Sequence, residues 1–224
     1  MEQNTPDWHR RGIYIPHREN KWFQTITFRL FDSLPLSTFR ELRRELKSLQ
    51  GGDLLDEARR KEILNTIAKY EDACLGSCFL RDSRIAKVIA DALHYFDGER
   101  YRLIAYCIMP NHVHVLIEVS RNWTLSKIMH SWRSFTANQA NKILNRSGQF
   151  WMEEYYDRYI RDGEHFANAI SYIRRNPIKA GLVKNSEDWQ WTWVIPNLDI
   201  FWDNGFLKRS LERDGEGGQA SSLL

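Results

Sequence analysis

No stretch of this 224-residue sequence approaches the roughly 20 apolar residues that cross a bilayer. Its first residues, Met1-Glu2-Gln3-Asn4-Thr5-Pro6-Asp7, lack the basic-then-apolar order of a secretory signal. The expectation is a cytoplasmic protein with no membrane partner. Cysteine is scarce as well. Cys74, Cys78 and Cys107 are odd in number, which argues against a disulfide framework and suits a reducing compartment. Cys74 and Cys78 have no second pair nearby to complete a metal site. The net charge of +3 is small, yet it is unevenly spread: residues 121–185 carry 11 Lys/Arg against 5 Asp/Glu, and the rest 21 against 24. Such a local excess suits a surface that faces phosphates, and a solvated helix face gives the same count. What the chain has in quantity is apolar and aromatic material, 42% hydrophobic residues with nine tryptophans, enough to bury the core of one domain. Most of the tryptophans are expected in that core.

Residues 1–20 read as a basic arm without periodicity, carrying Arg10 and Arg11. Residues 22–28 alternate and are rich in β-branched and aromatic types, a first strand. Two amphipathic helices, 38–49 and 54–72, flank a turn at Gly51-Gly52-Asp53 and form an insertion over about 38–72. Ser83 can cap a helix that Asp97-Gly98 ends, and 101–108 and 113–119 then form a hairpin around Met109-Pro110-Asn111. Thr124 caps a long helix to about Leu144, an aromatic and partly extended stretch follows, and Pro177 is expected to stop a helix over 163–176. Residues 21–195 form the expected catalytic domain, and 196–224 a tail, partly disordered. This order predicts an α+β fold, an antiparallel sheet with helices on one face.

His112 and His114 are two apart in a predicted strand, so both imidazoles point to one face while Val113, Val115 and Ile117 fill the other. The pair is either half of a metal site or two histidines at a partly solvated strand end. Tyr172 and Asn176 are four apart on a predicted helix and stack on one side of it. They could supply a nucleophile and a carbonyl ligand, or a half-buried aromatic and a cap residue. A phenol with pKa near 10 needs help from a cation or a base before it attacks. Tyr155, Tyr156 and Tyr159 compete for the nucleophile's role, but only Tyr172 has the amide partner one turn on.

Taken together, Asn111-His112-Val113-His114 and the run Tyr172-Ile173-Arg174-Arg175-Asn176-Pro177-Ile178-Lys179-Ala180-Gly181-Leu182-Val183 resemble the REP-associated tyrosine transposases of the HUH nuclease superfamily. The resemblance covers roughly 8–195 and includes Thr27-Phe28-Arg29 and Tyr155-Tyr156-Asp157-Arg158. It implies a ferredoxin-like sheet and a divalent ion, Mg²⁺ or Mn²⁺, held by His112, His114 and Asn176. It also implies Tyr172 as the nucleophile that cleaves single-stranded DNA through a 5′-phosphotyrosine link, on repeats folded into hairpins, in a monomer or a homodimer. Arg174, Arg175 and Lys179 flank that tyrosine, and Arg158 and Arg161 lie upstream. With Arg10 and Arg11 of the arm they are the candidate DNA contacts. Two His and one Asn are softer than the oxygen shells Mg²⁺ prefers, so phosphate and water oxygens must complete the sphere. Two other readings are a catalytically silent, domesticated repeat-binding protein and a zinc-dependent hydrolase. The latter needs further ligands, which His94, His130 and His165 do not offer at matching spacing.

Overall fold

The computed structural model describes residues 23–49 and 54–196; the arm with Arg10 and Arg11, the Gly51-Gly52-Asp53 turn and the tail from 197 onward lie outside the described residues. Five strands form one antiparallel sheet: β1 (Phe23–Arg29), β2 (Tyr101–Ile108), β3 (His112–Val119), β4 (Tyr156–Tyr159) and β5 (Thr192–Val194), in the order β4-β1-β3-β2-β5. The first four make a ferredoxin-like β-α-β-β-α-β unit. Its crossovers are α3 (Ser83–Tyr95) and α4 (Leu125–Ile143), with α1 (Leu36–Ser48) and α2 (Leu54–Asp72) inserted before α3 and α5 (Gly163–Lys179) following β4.

Alternation along β3 divides the core. Val113, Val115, Ile117 and Val119 meet Ile26, Phe28 and the buried faces of α3 and α4. Leu116 faces the other way, into a second cluster with Phe23, Cys107 and Phe166, Ile170 and Ile173 of α5. The expectation of helices on one face therefore holds for the two crossover helices and is corrected for α5, which covers the opposite face. A single-faced layer would have left the apolar residues Leu116, Ile104 and Cys107 in water; all three are fully buried here. The insertion has a small core of its own, Leu34, Leu46, Ile63, Ile67 and Met152.

Helix ends follow short polar side chains. Thr124 and Asp162 accept from the backbone N–H groups of Lys127 (3.4 Å) and His165 (2.7 Å). For α3 the cap is Asp82, which accepts from Arg84 N–H at 2.9 Å, and not Ser83, which is the first helical residue. Pro177 does not stop α5. The helix runs to Lys179 because proline inside the last turn removes only the one bond that residue 177 would give to the Ile173 carbonyl. The helix then closes with Ala180 N–H on the Asn176 carbonyl and Leu182 N–H on the Pro177 carbonyl, both 2.9 Å.

Candidate metal and nucleophile site

The register sets the site. Thr27 pairs with His114 and Arg29 with His112, so these four side chains share one face of the sheet, the face over which α5 runs. His112 and His114 are buried, and their Nε2 atoms converge to 2.9 Å. Asn111, also buried, donates its Nδ2 to the Leu75 carbonyl (3.0 Å), which turns its Oδ1 toward Nδ1 of His112 (2.7 Å). The oxygen can only accept, so Nδ1 of His112 carries the proton and Nε2 presents a lone pair. Thr27 Oγ1 lies 2.8 Å from Nδ1 of His114 and orients that ring. Burial pushes the pKa of His112 down to about 3, helped by the charges of Arg29 and Lys179. The imidazole is therefore neutral at physiological pH, the form that binds metals.

Tyr172 lies on α5 with its ring edge-on to His114, centroids 5.2 Å apart, and 42% of its surface exposed. Lys179 Nζ lies 5.9 Å from the centre of the Tyr172 ring. Since Tyr172 meets His114 and the charge of Lys179 reaches His112, Asn176 between them sits on the segment of α5 that passes the histidine pair. Asn176 is 1% exposed, and among the described residues neither its Oδ1 nor its Nδ2 has a hydrogen-bond partner.

These residues fit a divalent ion. Two nitrogens on adjacent corners of an octahedron, each about 2.1 Å from the ion, lie about 3.0 Å apart, close to the observed separation. An amide buried without partners is the kind of donor a cation satisfies. Among the described residues no three His, Cys, Asp or Glu converge.

The remaining predicted residues divide. Arg174, Arg175 and Lys179 are exposed on α5, and Arg161 is exposed after β4. Arg158 is half-buried on β4, opposite Thr25 and on the histidine face. Of the competing tyrosines, Tyr155 is packed in the cluster beneath α3 and α4 and the pleat turns Tyr159 away, whereas Tyr156 shares the histidine face. The tyrosine run hid this because its members look alike until the strand register is known. Sequence reasoning also missed the work of Asn111 and Thr27. Both stand inside the motifs that carried the resemblance, but their roles depend on partners 36 and 87 residues away.

The model of the IS200-like transposases matches residues 64–176, half of the chain, from the middle of α2 to Asn176. Two curated relatives are 28% identical over 102 residues and 24% identical over 91. The first is a Haemophilus influenzae protein provisionally named a REP-associated tyrosine transposase, the second the REP-associated tyrosine transposase of Escherichia coli K12. The alignments cover 41% and 40% of this chain, which spans 58% and 52% of the length of those relatives. A solved REP-associated tyrosine transposase bound to a REP hairpin is 16% identical, with a TM-score of 0.44 over 80% of each chain. The matched region contains the histidine hairpin, Tyr172 and Asn176 one turn after it, and the chain belongs to the family of IS200-like transposases.

Proposed function

We propose that this chain nicks and rejoins single-stranded DNA at repeat hairpins through a tyrosine-linked intermediate, using a divalent ion held by His112, His114 and Asn176. Family membership supports transposition chemistry, and the names of the curated relatives support a repeat-associated target. The observation that carries the reading is the tyrosine ring 5.2 Å from one of two histidines whose Nε2 atoms converge at 2.9 Å.

The work divides among named groups. Asn111 and Thr27 orient the imidazoles so that their Nε2 lone pairs face one point. His112, His114 and Asn176 would hold Mg²⁺ or Mn²⁺, which would supply Lewis-acid chemistry at the phosphate. Tyr172 gives its proton to solvent and its oxygen attacks phosphorus. The bond from phosphorus to the 3′ oxygen breaks, the leaving oxygen takes a proton, and the 5′ phosphate stays on Tyr172. An incoming 3′-hydroxyl reverses these steps, so bond energy is conserved and no nucleotide cofactor is needed. Arg174, Arg175, Lys179, Arg158 and Arg161 hold neighbouring phosphates, and Arg10 and Arg11 grip the hairpin. Residues 21–195 act as the catalytic domain, with 1–20 and 196–224 as appendages, in the cytoplasm and as a monomer or homodimer.

The test is a nicking assay on labelled hairpin strands with Mg²⁺ or Mn²⁺ and EDTA controls. Tyr172→Phe should abolish cleavage and the covalent adduct and leave hairpin binding within about twofold. A Tyr172→Phe protein that still cuts would sink the assignment. A native protein that binds but never cuts would leave the silent repeat-binding reading in its place.

A further inference from the structure

Tyr156 is used by no step above, yet it stands on the catalytic face. Thr27 is the register partner of both His114 and Tyr156, so the three form one row across β3, β1 and β4. Strands lie about 4.8 Å apart, which puts the backbone of Tyr156 about 10 Å from that of His114. Its ring is half-buried, and no hydrogen bond to its hydroxyl is seen among the described residues. A half-buried hydroxyl at a surface can donate to an acceptor that arrives from solvent.

The surroundings say which acceptor. Arg158 lies two residues on along the same strand, hence on the same face. Burial pushes the pKa of the Tyr156 phenol up, Asp157 adds to the rise although the pleat turns its carboxylate to the other face, and Arg158 and, on α2, Arg60 pull against it. One amine of Arg60 donates to the Leu49 carbonyl at the end of α1, which anchors the guanidinium in place. No Asp or Glu is a strand partner of Thr25 or Thr27 on this face, and Glu154, two residues before Tyr156, is buried at its edge. A phenol and an arginine side by side on this face, within the field of a second arginine, match a phosphate and repel an acidic protein surface. The face is also the one beside Tyr172.

We propose that Tyr156, Arg158 and Arg60 form a second phosphate site, which holds the DNA strand on one side of the bond that Tyr172 attacks. The role of the α1–α2 insertion is then to carry Arg60 to the β4 edge of the sheet. This rests on the reading of the face as a DNA-cutting site, and its test separates the two. The full chain is titrated in EDTA with a labelled 12-mer of deoxythymidine, so that no metal and no hairpin contribute. Tyr156→Phe should weaken binding about tenfold to a hundredfold, the loss of one hydrogen bond to a charged group. Arg60→Gln should weaken it and lower the slope of log affinity on log salt by about 0.7, while Arg60→Lys keeps the slope. Arg102→Gln, exposed on β2, is the control and should change neither. On a hairpin with a single-stranded flank, Tyr156→Phe should raise KM and keep kcat within twofold, because the phenol touches no reacting atom. Affinity within twofold of the parent and unchanged salt slopes in both Tyr156→Phe and Arg60→Gln overturn the proposal. If Tyr156→Phe lowers the melting temperature, the Arg60 pair decides alone. If Tyr172→Phe still cuts while these variants lose the 12-mer, the nucleophile is wrong and the phosphate site stands.

Discussion

Both amide atoms of Asn176 are buried without partners among the described residues, and each such group costs about 1–3 kcal/mol of desolvation that no hydrogen bond returns. A cation held by Oδ1 would recover the share of that cost that falls on the oxygen. A residue selected for packing would have been apolar. Asn176→Leu, similar in volume and unable to coordinate, should therefore be as stable as the parent in EDTA or up to about 2 kcal/mol more stable. The parent should melt higher on addition of Mn²⁺, because a ligand that binds only the folded state stabilises it, and Asn176→Leu should lose that shift. Differential scanning fluorimetry with a Mn²⁺ titration reads both quantities. A strongly destabilised variant, or one that keeps the shift, would remove Asn176 from the ligand set. At this scale the sequence was legible where a short-range rule applied: the two-residue period put His112 and His114 on one face, and the four-residue period put Tyr172 and Asn176 on one side of a helix. It was not legible where a partner came from far along the chain, as with Asn111 on the Leu75 carbonyl and Thr27 on His114.

Helix α5 carries the proposed nucleophile and the proposed third ligand on one rigid rod, and Ile173 between them, 2% exposed, keys that rod into the cluster with Leu116 and Phe166. Ile63 is buried to the same degree, in the separate core of the α1–α2 insertion. Truncating either to alanine should cost about 2–5 kcal/mol in denaturant unfolding. Their effects on chemistry should differ. Ile173→Ala lets α5 shift against the histidine strand, and a displacement near 1 Å is enough to slow the reaction about a hundredfold. Ile63→Ala should leave the single-turnover nicking rate at saturating DNA within about twofold, since the insertion holds no reacting group. Equal loss of rate in the two variants would mean that α5 has no special part. Element existence was readable from periodicity, and the insertion's two helices appear as expected. Two boundaries were misread for local reasons: Asp82 outcompetes Ser83 as a cap because its carboxylate reaches the Arg84 N–H, and Pro177 falls late enough in its helix to be absorbed.

Across the whole molecule the sheet separates two surfaces, one built on α3 and α4 and the other on α5, and the sequence could not reveal this because an amphipathic stripe does not say which side of a sheet it covers. The placement decides how the basic excess of residues 121–185 can act. Arg174, Arg175 and Lys179 project from α5 on the histidine side, and Arg158 lies on the same side in β4. Lys127 and Lys142 belong to α4, whose buried stripe packs against the opposite side. If DNA is engaged on the α5 side, only the first group neutralises phosphates. Each lost contact to a single strand should reduce the slope of log affinity against log salt by about 0.7. Arg174→Gln and Arg175→Gln should each lower the slope by up to that amount, and the double variant by up to about 1.4, with affinity falling alike for unrelated sequences. Lys142→Gln should leave the slope unchanged. Fluorescence anisotropy on one flanked hairpin between 50 and 200 mM salt, the range over which phosphate contacts change affinity most visibly, makes the comparison. A slope that falls with Lys142→Gln and not with the α5 arginines would place the DNA on the other side of the sheet from His112, His114 and Tyr172, where none of them could reach its backbone.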